Sequence, residues 1–184
     1  MRGGFRAFIL GLFCRPLFRA VFLGAFSRNA DRPLWIVDID NTLAHTWPSL
    51  NEKHGSEKER MLSLPPLNGM CEKVRAASPA SAEVLFVSVR PYGMYFVTRK
   101  WLRAQRLPVN FSNLVLVQDP SDKLELIRLA LSGSRRTVEY YDDLSYHHET
   151  GRTEFYENII NAVKALPLKY VGYAELSSIN GKNE

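Results

Sequence analysis

Short apolar runs that alternate with amphipathic segments are the feature of this sequence that most restricts its fold. Runs of this length, rich in β-branched and aromatic residues, are typical of buried strands, and the segments between them have helical spacing. Such alternation predicts an α/β protein, a Rossmann-like three-layer sandwich around a central parallel sheet. The predicted strands are 34–37, 83–88, 114–117, 138–141 and 169–173, and the predicted helices are 67–77, 95–106, 120–133 and 154–166.

Length and composition are those of one ordinary globular domain. The chain has 184 residues, of which 46% are hydrophobic and 23% are charged. Two cysteines, Cys14 and Cys71, form neither a disulfide framework nor a zinc motif, which favours a reducing, cytoplasmic location. We therefore expect a catalytic domain over 34–176 and a flexible tail over 177–184.

The basic charge is concentrated at the start of the chain. The net charge is +5, and the first thirty residues contain five arginines and no acidic residue. The other 19 basic residues are balanced by 19 acidic ones, so the domain itself is neutral. A neutral domain lacks the basic balance that a nucleic-acid backbone favours, so nucleic acid is not an expected partner.

Residues 1–33 form a hydrophobic, arginine-rich leader that we expect to lie outside the catalytic fold. Its charge-free runs are too short for a membrane span, and Pro16 predicts a break into two helical pieces. Contact of residues 5–26 with a membrane surface fits this pattern. An arm docked on the body or on a second subunit, an organelle-targeting leader, and an upstream start codon fit it as well.

Two aspartates separated by one residue follow the first predicted strand. Residues i and i+2 of a strand face the same side, so Asp38 faces the end of the sheet and Asp40 joins it if the chain turns. Two carboxylates this close repel each other unless a cation or a shared proton offsets them. The pair therefore predicts a divalent metal site, or one acid and one base.

Further polar residues follow the other strands. In a parallel sheet the carboxyl ends of the strands lie along one edge, so these side chains are expected to converge on the aspartate pair. Carboxylates suit Mg²⁺, and a lysine with a hydroxyl group suits phosphate oxygens. The residues concerned are Ser88, Lys123, Asp142 and Asp143.

Together these residues make the sequence resemble the haloacid dehalogenase superfamily, on its phosphatase side. The resemblance covers residues 34–173 and implies a HAD-like fold and Mg²⁺-dependent hydrolysis of phosphate monoesters. Lys100 is a weaker match than Lys123 for the family's lysine, because it lies before the third strand. The four motifs are Asp38-Ile39-Asp40-Asn41-Thr42, Leu85-Phe86-Val87-Ser88, Lys123 and Tyr140-Tyr141-Asp142-Asp143.

The resemblance implies a role for each acidic motif residue. Asp38 would attack phosphorus and form an aspartyl-phosphate, with its other oxygen on Mg²⁺. Asp40 would protonate the leaving group and then activate water, with its backbone carbonyl on the metal. Asp142 would bind the metal, and Asp143 would do so directly or through water, although Asp143 is equally a candidate for a helix cap.

The remaining motif residues would position the phosphate. The resemblance implies that Ser88 binds the phosphoryl group, that Lys123 balances its charge, and that Thr42 sets the turn after the first strand. Arg90 is a candidate for the substrate phosphate or for a pair with an acid. His45, His147 and His148 lie near the predicted rim, either as solvated loop residues or as catalytic ones.

The insertions available for a cap domain are short. Residues 43–82 hold one core helix and a loop, and residues 91–113 hold one helix, so we expect a capless or minimally capped site. An open site suits a bulky phosphorylated substrate, or a small one if a partner subunit supplies the lid. Alternatives are a nucleotide or polynucleotide-end phosphatase or phosphotransferase, and a non-catalytic binding module on the same fold.

Overall fold

A five-stranded parallel β-sheet forms the centre of the protein in a computed structural model that describes residues 2–28, 31–77 and 81–181. The order of the strands in this sheet is β3-β2-β1-β4-β7, and β5 and β6 form a separate antiparallel pair. In chain order the strands are β1 Leu34–Val37, β2 Glu83–Val89, β3 Leu114–Val117, β4 Val138–Tyr141, β5 Ser145–Tyr146, β6 Glu154–Phe155 and β7 Lys169–Val171.

Helices flank the sheet and give the three-layer α/β sandwich that the sequence predicts, so the expected fold class is confirmed. Two short 3₁₀ turns, Tyr92–Met94 and His148–Thr150, lie in the loops after β2 and β5. The helices are α1 Arg2–Ser27, α2 Trp47–Leu50, α3 Glu57–Ser63, α4 Asn68–Ala77, α5 Tyr95–Ala104, α6 Pro120–Leu131, α7 Glu157–Lys164 and α8 Tyr173–Ile179.

Strand β1 lies at the centre of the sheet and is buried on both faces, as its apolar composition requires. Val37 is in register with Phe86 of β2 and with Tyr141 of β4. The amide of Asp38 continues this ladder by donating to the carbonyl of Tyr141 at 2.9 Å. The residues that follow β1 and β4 therefore leave the sheet side by side.

Helix α6 begins immediately after β3. The side chain of Asp119 accepts a hydrogen bond from the amide of Ser121 at 2.8 Å, and Pro120 occupies the first turn. Both features favour a helix start at this point. Lys123 consequently lies in the first turn of α6, at the carboxyl edge of the sheet.

Helix α1 is continuous through Pro16, so the predicted break is wrong. An interior proline costs about 3 kcal/mol. Burial of Phe18, Phe22 and Phe26 offsets this cost, because each large apolar side chain contributes roughly 1.5–3 kcal/mol when removed from water. Tertiary packing after the proline thus sustains the helix.

Residues 11–28 belong to the folded body, which corrects the expectation that residues 1–33 lie outside it. Helix α1 contacts the edge strand β3, the helix α6 and the 3₁₀ turn Tyr92–Met94, and its buried side chains join the main hydrophobic core. Of the alternatives for the leader, the described residues show an arm docked on its own body. Residues 1, 29 and 30 lie outside the description. No helix in the described stretches combines the length and apolar character needed to cross a bilayer.

A buried arginine fastens the end of α1 to the body. The Nη1 atom of Arg136 donates to the carbonyls of Ala25 at 2.5 Å and Arg28 at 2.7 Å. Its Nη2 atom donates to Glu83 at 3.0 Å. A cation at the carboxyl end of a helix satisfies free carbonyls and complements the helix dipole.

The chain after β7 is helical, which corrects both the strand expected to Tyr173 and the flexible tail expected from 177. Leu176 of α8 is buried, and the Asn180 side chain accepts a hydrogen bond from the amide of Met70 at 2.8 Å. Gly69 permits this approach, because a Cβ atom there would lie 1.9 Å from the carbonyl oxygen of Ile179. Residues 182–184 of the expected tail lie outside the description.

Candidate metal and phosphate site

The predicted polar residues converge at the carboxyl edge of the sheet. Asp38 and Asp40 follow β1, Asp142 and Asp143 follow β4, and Lys123 reaches in from α6. All five line a pocket of about 180 Å³. The parallel topology is what brings these distant residues together.

Lys123 joins the two strand ends through its ammonium group. Its Nζ atom contacts Oδ1 of Asp38 and lies 2.7 Å from Oδ2 of Asp142. The hydroxyl of Tyr140 also donates to Oδ2 of Asp142, at 2.5 Å. The alternative lysine, Lys100, is exposed on α5.

Three carboxylates form a compact acidic group around this lysine. Oxygen atoms of Asp38, Asp142 and Asp143 lie within 4.8 Å of one another, and all three residues are buried. Three carboxylates carry more negative charge than one ammonium group offsets, and burial of an unpaired charge is costly. The donor set therefore fits a hard divalent cation such as Mg²⁺, which takes oxygen ligands.

The pKa values of the acidic group are shifted in the directions that its excess of negative charge requires. Burial, and then the neighbouring Asp142 and Asp40 carboxylates, raise the pKa of Asp38 to about 8 against the opposing effect of Lys123. Burial and the Asp142 charge raise the pKa of Asp143 well above its usual range. Burial would lower the pKa of Lys123, but Asp142 and Asp38 raise it instead. A divalent cation would offset this negative charge and would compete with protons for the three carboxylates.

Asp40 has a different environment from the acidic group. Arg90 binds both of its oxygens, with Nη2 2.6 Å from Oδ1 and Nε 2.8 Å from Oδ2. The hydroxyls of Thr46 and Ser88 donate to Oδ1 and Oδ2 at 2.8 Å and 3.0 Å. Burial would raise the pKa of Asp40, but Arg90 and these hydrogen bonds lower it to about 2.

Arg90 and Ser88, both predicted to bind phosphate, are therefore directed at Asp40. Of the two interpretations of Arg90, the structure shows the pair with an acid. Nη1 of the buried guanidinium also donates to Thr98 at 3.1 Å, which fixes its plane. Neither Ser88 nor Arg90 is among the described residues that line the pocket.

Thr42 lies in the tight turn after β1, as the resemblance implies. The amides of Leu43 and Ala44 both donate to the carbonyl of Ile39, and Asn41 has a φ of 58°. Thr42 is buried, and its hydroxyl has no hydrogen-bond partner within the described chain. In this structure it shapes the turn and is not among the residues that line the pocket.

The rim of the site includes residues that sequence reasoning missed. The Ser145 hydroxyl donates to Oδ2 of Asp143 and lies 2.8 Å from Nε2 of His148. The His148 ring stacks on Trp47 of α2 and is half-buried. His147 is exposed, and His45 is half-buried with its amide bonded to the carbonyl of Pro65. Strands of two residues leave no periodic signal, so β5 and β6 were not predictable.

Comparison of the chain with protein-family models, with curated proteins and with solved structures gives no match. The fold and the site therefore define its class directly. It is an α/β protein with a parallel five-stranded sheet whose carboxyl edge carries a buried acidic group able to hold a metal ion.

Proposed function

We propose that this protein is a Mg²⁺-dependent phosphomonoesterase of the haloacid dehalogenase type. One observation carries the proposal: Lys123 contacts both Asp38 and Asp142, with Asp143 beside them, at the carboxyl edge of a parallel sheet. A nucleophilic carboxylate, a compensating cation and a metal-binding group are the parts that phosphoryl transfer needs.

Asp38 is the proposed nucleophile. A bond forms between its carboxylate oxygen and phosphorus while the bond from phosphorus to the leaving oxygen breaks. Water then attacks the aspartyl-phosphate, which releases inorganic phosphate and restores the Asp38 carboxylate. Lys123 neutralises the charge that nucleophile and phosphate share.

Asp38, Asp142 and Asp143 are the residues that would hold the metal. When bound, Mg²⁺ supplies charge that polarises a phosphoryl oxygen. Asp142 is fixed for this task by hydrogen bonds from the Tyr140 hydroxyl and from the amide of Leu144. Ser145 restrains Asp143 in the same way. Such supporting contacts orient ligands and are part of a functional metal site.

Asp40 is the proposed acid and base, and Arg90 controls it. While Arg90 holds both oxygens, Asp40 is ionised and has no proton to give. A substrate phosphate would compete for the guanidinium, because phosphate and carboxylate match it equally well. Once Arg90 turns to the phosphate, the pKa of Asp40 rises and the carboxyl group can protonate the leaving oxygen.

A second candidate, a phosphate-binding module without turnover, is favoured by the same Arg90–Asp40 pair. If Arg90 does not leave Asp40, the site can bind a cation and a phosphate but lacks a proton donor. Both candidates would bind a metal ion, but only the phosphomonoesterase would turn over a substrate. An activity measurement therefore separates them.

The substrate class follows from the small size of the cover over the site. Among the described residues between β1 and β2, two short helices, α2 and α3, are added to the core helix α4, and the loop after β2 contains one 3₁₀ turn before α5. We propose a substrate whose phosphate is presented on a larger group that remains outside the pocket. Nucleotides and polynucleotide ends belong in the same screen.

The test is hydrolysis of p-nitrophenyl phosphate and of a broad phosphoester panel, with Mg²⁺ and with EDTA. Wild type and Asp31→Asn, an exposed control, are expected to show metal-dependent turnover. Asp38→Asn is expected to lose it by several orders of magnitude, since the nucleophile is absent. Metal binding without turnover on any substrate would exclude the phosphomonoesterase and favour the binding module. Turnover by Asp38→Asn would exclude the aspartyl-phosphate route.

A further inference from the structure

The outer face of α1 is apolar over residues 12–20, and in the part of the chain that the structure describes these side chains are exposed. Phe18, Phe22 and Phe26 occupy the face buried against the body. On the opposite face Leu12, Phe13 and Leu17 are 59%, 74% and 59% exposed. Pro16 and Ala20 lie on the same face and are also exposed. A helix that is apolar on all sides is normally covered on all sides.

Charge indicates what covers this face. Arg15 and Arg19 lie along one border of it and are exposed, and the first thirty residues contain no acidic residue. The ion pair of Arg15 with Asp122, 3.2 Å long, leaves 70% of the arginine side chain exposed. Exposed pairs contribute little, so Arg15 is available to another anion.

We propose that the outer face of α1 lies on the surface of an anionic lipid bilayer. The apolar side chains of residues 12–17 would enter the boundary between headgroups and acyl chains, while Arg15 and Arg19 contact lipid phosphates. A second copy of the chain fits less well. It would bring two arginine borders together, and the acids beside them, Asp122 and Glu125, lie in the groove next to Arg15 and Arg19 of their own chain.

The geometry of the helix fits a position along the bilayer and not across it. Its 26 residues are interrupted by arginines at positions 2, 6, 15 and 19, and its inner face is occupied by the body.

The inference is independent of the catalytic proposal and is tested with the full-length protein. Flotation is measured with phosphatidylcholine vesicles and with vesicles containing about 30% phosphatidylglycerol, an anionic lipid. Wild type is expected to float with the anionic vesicles, less so at high salt, and to remain unbound with phosphatidylcholine alone. Wild type that does not float with either vesicle overturns the proposal.

Two substitutions and a matched control locate the contact. Phe13→Glu with Leu17→Glu is expected to reduce partitioning about tenfold or more, because both side chains lose their apolar insertion and repel anionic lipid. Leu62→Glu, at an exposed leucine on α3 away from this face, is expected to float like wild type. Equal flotation by the double variant overturns the proposal.

The competing occupant has its own signature. If a second copy covers the face, wild type sediments as a dimer without lipid and the double variant as a monomer, which also overturns the proposal. Thermal unfolding of the double variant should match that of wild type, because both positions are exposed. A variant that melts early is replaced by Arg15→Gln with Arg19→Gln, which should weaken anionic binding at least fivefold.

Discussion

Arg90 holds both carboxylate oxygens of Asp40, with Nη2 2.6 Å from Oδ1 and Nε 2.8 Å from Oδ2. The guanidinium is buried, and Thr98, Thr46 and Ser88 complete the hydrogen bonds of the pair. This arrangement ties the residue proposed to move protons to the residue best suited to recognise phosphate. Binding of a phosphate by Arg90 would therefore be linked to release of Asp40.

Arg90→Gln is expected to lower the free energy of unfolding by about 1.5–3 kcal/mol, because the half-buried Asp40 carboxylate loses its charge-assisted hydrogen bonds. Adding Asp40→Asn to this variant should recover part of the loss, since the unpaired charge is then gone. Urea denaturation measures both. Arg103→Gln, at an exposed position on α5, is the control and should change stability by less than about 0.5 kcal/mol. Equal effects of the two arginine variants would show that the pair contributes nothing.

Mg²⁺ is expected to raise the melting temperature of the protein, because it binds the folded acidic group and not the unfolded chain. At a concentration 100 times the dissociation constant the stabilisation is about 2.7 kcal/mol. Asp143→Asn should abolish most of this rise while leaving the protein in EDTA about as stable as wild type, since the raised pKa keeps Asp143 neutral without the metal and asparagine is neutral as well. Thermal melts of wild type, Asp143→Asn and the exposed control Asp31→Asn measure the effect. If Mg²⁺ raises the melting temperature of Asp143→Asn as much as that of wild type, Asp143 is not a metal ligand.

In EDTA the stability of the protein is expected to fall as pH rises between about 4 and 8. The folded state holds the Asp38 proton up to about pH 8, whereas the unfolded chain releases it near 3.8. The folded state thus binds more protons in this window, and raising the pH favours unfolding. Asp38→Asn should flatten the profile. Denaturation series at several pH values measure it, and an unchanged slope in the variant would assign the dependence to other groups.

Arg136→Ala is expected to destabilise the protein by about 3 kcal/mol, because it leaves the carbonyls of Ala25 and Arg28 and the carboxylate of Glu83 without their donor. The end of α1 should also become accessible to proteases. Arg135→Ala, at the exposed neighbouring position, is the matched control. Urea denaturation and limited proteolysis measure the two effects. Similar behaviour of both variants would mean that the clamp is not what holds α1.

The sequence contained enough to predict the sheet and its acidic edge. The cores of β1 to β4 are apolar runs with clear ends, and Asp38, Lys123 and Asp142 converge because parallel strands end along one line. The predicted start of the helix at residue 120 agrees with α6, which places Lys123 in its first turn. These features depend on local patterns, which sequence reasoning reads well.

The features that were missed depend on partners distant in the chain. For Arg90 the sequence left two alternatives, a phosphate or an acid, because both attract a guanidinium, and only the folded structure shows the pair with Asp40. Continuity of α1 through Pro16 depends on the packing of Phe22 against the body. Helix α8 is held by Leu176 and by the contact of Asn180 with α4. None of these interactions leaves a periodic signal.

The clamp between Arg136 and the end of α1 has a consequence for biosynthesis. Helix α1 leaves the ribosome before β3, α6 and Arg136, and Arg136 follows the end of the helix by more than 100 residues. At roughly 5–20 residues per second this delay lasts about 5–20 s. During that interval the apolar side chains of α1 are exposed and can bind another apolar surface. Because α1 is synthesised before the elements it packs against, a chaperone or a membrane can bind it before the domain folds.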